Sequence, residues 1–109
     1  MNDHETTIRQ LSDKMQAFIA ERSWQCFHTP KNLASSIAIE AAEVMEHFQW
    51  LTPEESLQMA DQPAQVAEVG EELADVFAYL LSLAHALNID LAAAFEDKMK
   101  KNALKYPPQ

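Results

Sequence analysis

Three observations place this chain in the all-α class. Only one of its 109 residues is glycine, long stretches are built from Ala, Leu, Met, Glu and Gln, and no convincing strand pattern appears. Those residues are strong helix formers. Apolar positions also recur at the 3.6-residue period of a helix turn. The expected architecture is four main helices plus a short connecting helix, in a single domain over residues 1–109.

A first helix is expected from about Glu5 to Arg22, with Ile8, Leu11, Met15, Phe18 and Ile19 at amphipathic spacing. A loop from Ser23 to Thr29 carries Trp24, Phe27 and His28. Thr29-Pro30 reads as a helix start, with Thr as cap and Pro at the first helical position, and the second helix runs to about Trp50. Thr52-Pro53-Glu54-Glu55 has the form of a capping box, opening a short helix that ends near Ala60. Asp61-Gln62-Pro63 breaks the chain, and a long helix follows to Leu87, stopped by Asn88. Asp90 caps a last helix that ends before Tyr106-Pro107-Pro108. Gly70 falls inside the long helix, where it costs about 1 kcal/mol relative to alanine; it marks either close packing or the true helix start.

A formal charge of −9 argues against nucleic-acid binding, which needs a basic footprint. A lone Cys26 excludes an intrachain disulfide and fits a reducing cytoplasm. The opening Met1-Asn2-Asp3-His4-Glu5 lacks the basic and apolar regions of a signal peptide, and no apolar run approaches the length of a membrane span. A cytoplasmic protein with no membrane partner is expected.

Two acidic pairs carry the chemistry: Glu40-Ala41-Ala42-Glu43 and Glu72-Leu73-Ala74-Asp75. Residues three apart share a helix face, so each pair aims two carboxylates at one point. With 17 acidic residues some such pairs arise by chance on solvated faces, but these two border apolar stripes. Leu33, Ile37, Ala41, Val44 and Phe48 form one stripe, flanked by Glu40 and Glu43. Val69, Leu73, Val76, Leu80, Ala84 and Leu87 form the other, edged by Glu68, Glu72, Asp75 and Tyr79. Four convergent carboxylates make an oxygen-only site suited to Mg²⁺, with Mn²⁺ possible, rather than zinc. Such a cation completes its shell with water and phosphate oxygens, so the chain reads as a phosphate-handling metalloenzyme.

The string Ile39-Glu40-Ala41-Ala42-Glu43-Val44-Met45-Glu46-His47-Phe48-Gln49-Trp50, followed by Glu71-Glu72-Leu73-Ala74-Asp75-Val76, resembles the MazG-like nucleotide pyrophosphohydrolases, most of all their dCTP pyrophosphatase branch. Twenty-eight residues separate Glu43 from Glu72. The resemblance extends to Glu21-Arg22-Ser23-Trp24 and Phe27-His28 upstream, and to Lys98-Met99, Asn102 and Tyr106-Pro107 downstream.

That resemblance implies a MazG-like helical bundle completed by oligomerisation, as a homotetramer built from two dimers. It implies Mg²⁺-dependent cleavage of a nucleoside triphosphate between its α and β phosphates, giving monophosphate and pyrophosphate in nucleotide-pool house-cleaning. Glu40, Glu43, Glu72 and Asp75 would be the catalytic metal ligands, and the cation would offset phosphate charge and acidify a water. Trp24, His28 and Trp50 would face the base. Tyr79 would reach phosphate, sugar or a neighbouring subunit, and Lys98 and Asn102 the triphosphate or sugar. One departure bears on selectivity: Met15 stands where the dCTP pyrophosphatases carry a histidine, replacing an edge hydrogen bond with adaptable apolar contact. Hydrolysis of dCTP or a C5-modified dCTP, with some turnover of dATP, is expected.

A ferritin-like di-iron site needs Glu-x-x-His on two helices, and none of His4, His28, His47 or His85 has a Glu three positions before it. A non-enzymatic helical oligomeric interaction module is the alternative. It accounts for the amphipathic helices and the charge, but not for four carboxylates bordering the core. Oligomerisation itself is expected on other grounds: Met45, Phe48, Phe77, Leu81 and Phe95 spread over several faces and exceed what one small subunit can enclose.

Overall fold

A computed structural model describes residues 1–109 and is helical throughout, with no strand. The helices are α1 (Ile8–Glu21), α2 (Pro30–Glu46), α3 (Pro53–Gln58), α4 (Pro63–Ala86) and α5 (Leu91–Lys105). Single 3₁₀ turns occupy Gln25–Phe27 and Met59–Asp61.

The helix starts are built from side-chain caps. α1 begins three residues later than expected because Thr7 and Gln10 form a reciprocal capping box, while Asn2 holds residues 4 and 5 in a turn through its side-chain oxygen. Thr29 caps α2 by accepting from Asn32 N–H at 3.2 Å. The Thr52–Glu55 box is present at the start of α3 with both bonds made, at 2.9 and 3.1 Å. Asp90 caps α5 through Ala93 N–H at 2.9 Å.

Two helix ends share one device. At the end of α1, Ser23 takes φ 55°, with Trp24 N–H donating to Ile19 O and Ser23 N–H to Ala20 O. At the end of α4, Asn88 takes φ 54°, with Ile89 N–H donating to Ala84 O and Asn88 N–H to His85 O. Both are Schellman closures, in which the left-handed residue usually is glycine. α2 ends at Glu46 rather than Trp50, because Phe48 and Leu51 donate to the carbonyls of Met45 and Phe48 and tighten the chain into turns.

α4 is the central element, packed against α2 on one side and α1 on the other. Ile19, Leu33, Leu81, Ser82 and Ala84 are its fully buried neighbourhood, a core too small for a self-sufficient domain. Leu81 therefore belongs to the core rather than to an outer face, and Phe48 is half-buried, whereas Met45, Phe77 and Phe95 are exposed as expected. Of the long-helix stripe, Val69 and Val76 are half-buried and Ala84 is buried, but Leu73, Leu80 and Leu87 lie open. α5 turns away from α4 at 99° and does not pack as a helix against the others. No single helix is long and apolar enough to cross a membrane.

Gly70 satisfies neither expected role within the chain. The helix starts seven residues earlier, at Pro63, and a Cβ built on Gly70 would meet nothing within 4 Å.

Candidate metal centre

The α2–α4 contact sets the acidic pairs side by side. On α2, Leu33, Ile37 and Val44 turn towards α4, which carries Glu40 and Glu43 to the border of the seam. On α4, Val69 and Val76 do the same for Glu72 and Asp75. Carboxylate oxygens of Glu40, Glu43 and Glu72 lie within 4.8 Å of one another. Asp75 stands outside that radius, yet its charge acts on both Glu40 and Glu43.

Glu40 is pushed above the ordinary carboxylate range by burial first, then by the charges of Glu43, Asp75 and Glu72. Glu43 is raised first by the hydrogen bond it shares with Glu72, then by the charge of Glu72, by burial and by Asp75, with His47 acting in the opposite sense. No Lys or Arg forms an ion pair with any of the four; the nearest positive-capable group is His47, whose Nε2 lies 3.7 Å from Glu72 Oε1. The other oxygen of Glu72 is buried with no hydrogen-bond partner. A buried anion is costly unless it is paired. An unpartnered carboxylate oxygen inside a ring of carboxylates fits a hard divalent cation, with Glu40, Glu43, Glu72 and Asp75 as the donor set.

The raised values have a pH consequence with a definite sign. Folded carboxylates above their unfolded values bind protons more tightly in the native state, so this stabilising contribution is complete below the unfolded value and is lost as pH rises through the raised ones. Acidifying the metal-free chain from neutrality through that window should therefore stabilise it relative to Glu43→Gln, and a saturating divalent cation should reverse the trend, because protons then compete with the metal for the same carboxylates. Thermal melts of both proteins across pH, with EDTA or metal, measure this; parallel curves in EDTA would contradict it.

The remaining candidate residues divide into three groups. Trp24 is fixed by the closure of α1 and packs edge-on to Phe18, with ring centroids 5.8 Å apart. Arg22 covers the other ring partner, its guanidinium 3.6 Å from the Phe18 centroid. His28 stacks on Tyr79 at 6.3 Å, which ties the tryptophan loop to the acidic edge of α4, and its Nδ1 is buried without a partner. Trp50 is 87% exposed in the turn after α2. Lys98 and Asn102 are not brought to the carboxylates of their own chain, because α5 leaves the bundle. His47 is the residue that sequence reasoning passed over; its position four after Glu43, on the same helix face, was the available signal. A cavity of about 500 Å³ between the starts of α1 and α5 and the end of α4 contains none of these residues.

Residues 35–109, which include all four carboxylates, match the MazG-like family. The chain belongs to this family. Among curated relatives of this MazG-like chain, dCTP pyrophosphatase 1 of Rattus norvegicus is 39% identical over 103 residues, covering 94% of this chain and 61% of that protein. The Homo sapiens protein of the same name is 38% identical over the same shares. The chain thus spans about three-fifths of the length of the curated relatives it matches. Among solved structures, a pyrophosphatase from Archaeoglobus fulgidus superposes with a TM-score of 0.85 at 39% identity, covering 99% of each chain. The all-helical MazG-like fold expected from the sequence is the one observed.

Proposed function

We propose that this chain is a single-domain nucleoside triphosphate pyrophosphohydrolase, cutting between the α and β phosphates of dCTP or a modified dCTP to give monophosphate and pyrophosphate. The observation that carries the proposal is the carboxylate cluster of Glu40, Glu43 and Glu72, with the Asp75 charge beside it and an unpartnered buried oxygen on Glu72. The names of the relatives, dCTP pyrophosphatase and pyrophosphatase, support the same reading.

The four carboxylates would hold Mg²⁺, or Mn²⁺. When bound, the cation supplies charge neutralisation for phosphate oxygens, which an acidic chain otherwise repels. With Glu72 beside it, the Glu43 carboxyl is raised and takes up a proton more readily than an isolated carboxylate. Trp24, packed edge-on against Phe18, offers a stacking face for the base. His28 and Tyr79 orient the loop against the acidic edge.

The active form is a homo-oligomer, a tetramer of two dimers. A folded 12.3 kDa monomer exposes about 6,100 Å², whereas this chain exposes 8629 Å². Its radius of gyration is 16.5 Å, against about 13 Å for a compact chain of this length. α5 carries four of the chain's eight Lys and Arg residues on an unpacked arm. In the oligomer it delivers Lys98 and Asn102 to the triphosphate at a neighbouring subunit, where Trp50 faces the base. A purely structural interaction module accounts for the open surface but leaves the carboxylate cluster unexplained.

The test is kcat/KM across the deoxynucleoside and nucleoside triphosphates and 5-methyl-dCTP. Cytosine triphosphates should lead, with measurable turnover of dATP, because stacking is indifferent to base identity and Met15 offers no edge hydrogen bond. Turnover of no triphosphate would overturn the proposal.

A further inference from the structure

The carboxylate cluster has a neighbour of a different kind. α2 ends at Glu46, yet His47 keeps helical backbone angles, φ −67° and ψ −19°, so its side chain continues the face of Glu43 one turn earlier. From there it reaches across the seam to α4, where its Nε2 lies 3.7 Å from Oε1 of Glu72. The two side chains are only 23% and 21% exposed, so water and salt screen their attraction less than that of a surface pair. At this distance the pair is in electrostatic rather than direct hydrogen-bond contact. With a proton on Nε2 the ring attracts Oε1 whether it is neutral or charged. His47 stands outside the tight group of oxygens, which Glu40, Glu43 and Glu72 supply.

We infer that His47 is a positioning residue for the cation site: held against Oε1 of Glu72, it fixes that carboxylate and leaves the other oxygen, Oε2, free for the metal. The inference rests on the metal-dependent reading above and adds a residue outside its ligand set. Three observations carry it. The two oxygens of Glu72 are unlike, since Oε1 has His47 beside it and Oε2 is buried without a partner. Glu72 also shares its site with two carboxylates within 4.8 Å, whose repulsion drives it away from them. No Lys or Arg pairs with it, so His47 is the group that opposes that push. Finally, the contact joins α2 to α4, the two helices that each carry a pair of ligands. A glutamate ordered before the cation arrives has less side-chain freedom to lose on binding.

Mn²⁺ binding to the whole chain, followed by EPR of the free ion, tests this in wild type, His47→Leu, His47→Gln and Glu43→Gln. Leucine keeps the bulk of the side chain without a donor, and should weaken binding by about tenfold or more, the usual cost of losing a partner of a metal ligand. Glutamine keeps an N–H donor at similar reach and should recover most of that loss. Circular dichroism in EDTA should show the same helical content in all four proteins. The Mn²⁺-loaded wild type should give no spin-echo signal from a directly bound nitrogen. Wild-type affinity in His47→Leu, equal losses in His47→Leu and His47→Gln, or a directly bound nitrogen would each overturn the positioning role and leave the metal site standing. Wild-type binding no tighter than that of Glu43→Gln would instead remove the metal site, and this inference with it.

Discussion

Glu43→Gln and Glu72→Gln should each lower kcat by about 100-fold or more while leaving the helical content of the chain unchanged. Losing a partner one step removed from a metal typically costs 10–100-fold, so losing a direct ligand costs about that or more. The amide keeps the shape of the side chain but removes the anionic oxygen. At Glu72 it also removes the unpartnered buried oxygen that identifies the site. Folding should tolerate the change, because the substitution relieves crowding among Glu40, Glu43 and Glu72. The metal-free variant melts no lower than the metal-free wild type on this account. Activity, metal titration and circular dichroism on the same samples separate a lost ligand from a lost fold; near-full activity at limiting Mg²⁺ in both variants would remove the carboxylates from the mechanism.

Trp24→Ala should raise KM for dCTP by about tenfold, since base stacking on an aromatic is worth roughly 1–3 kcal/mol. The effect should fall on KM more than on kcat, because stacking holds the base equally in ground and transition states. Trp24 is 44% exposed and lies edge-on to Phe18, so its removal opens little core. Steady-state kinetics with several triphosphates measure the split. An unchanged KM for every substrate would place the base elsewhere.

The helix content was legible because it depends on local chemistry. Thr29-Pro30, the Thr52–Glu55 box, Asp90 and Asn88 mark helix boundaries in the structure as they do in the sequence. The boundaries that differ were decided by features without a strong residue signature. Ser23 takes the left-handed position where glycine would have announced the turn, and the chain from Phe48 to Leu51 tightens into turns with neither Gly nor Pro. The acidic pairs were legible as pairs, since three-residue spacing fixes a shared face. Their convergence across α2 and α4 was expected from their edge positions, but how tightly each joins was not legible, because it depends on the depth of the seam; Asp75 accordingly sits outside the tight group of three. Periodicity also cannot distinguish a stripe buried in its own subunit from one left open for another. Leu73, Leu80 and Ala84 read alike in sequence, and only Ala84 is buried.

The central claim is a metal-dependent cut between the α and β phosphates, and ³¹P NMR of dCTP incubated with the protein tests it most directly. With Mg²⁺ the triphosphate signals should be replaced by those of dCMP and pyrophosphate, with no dCDP and no orthophosphate, and EDTA should stop the conversion. Persistence of dCTP in the presence of Mg²⁺, or appearance of dCDP with orthophosphate, would contradict the account.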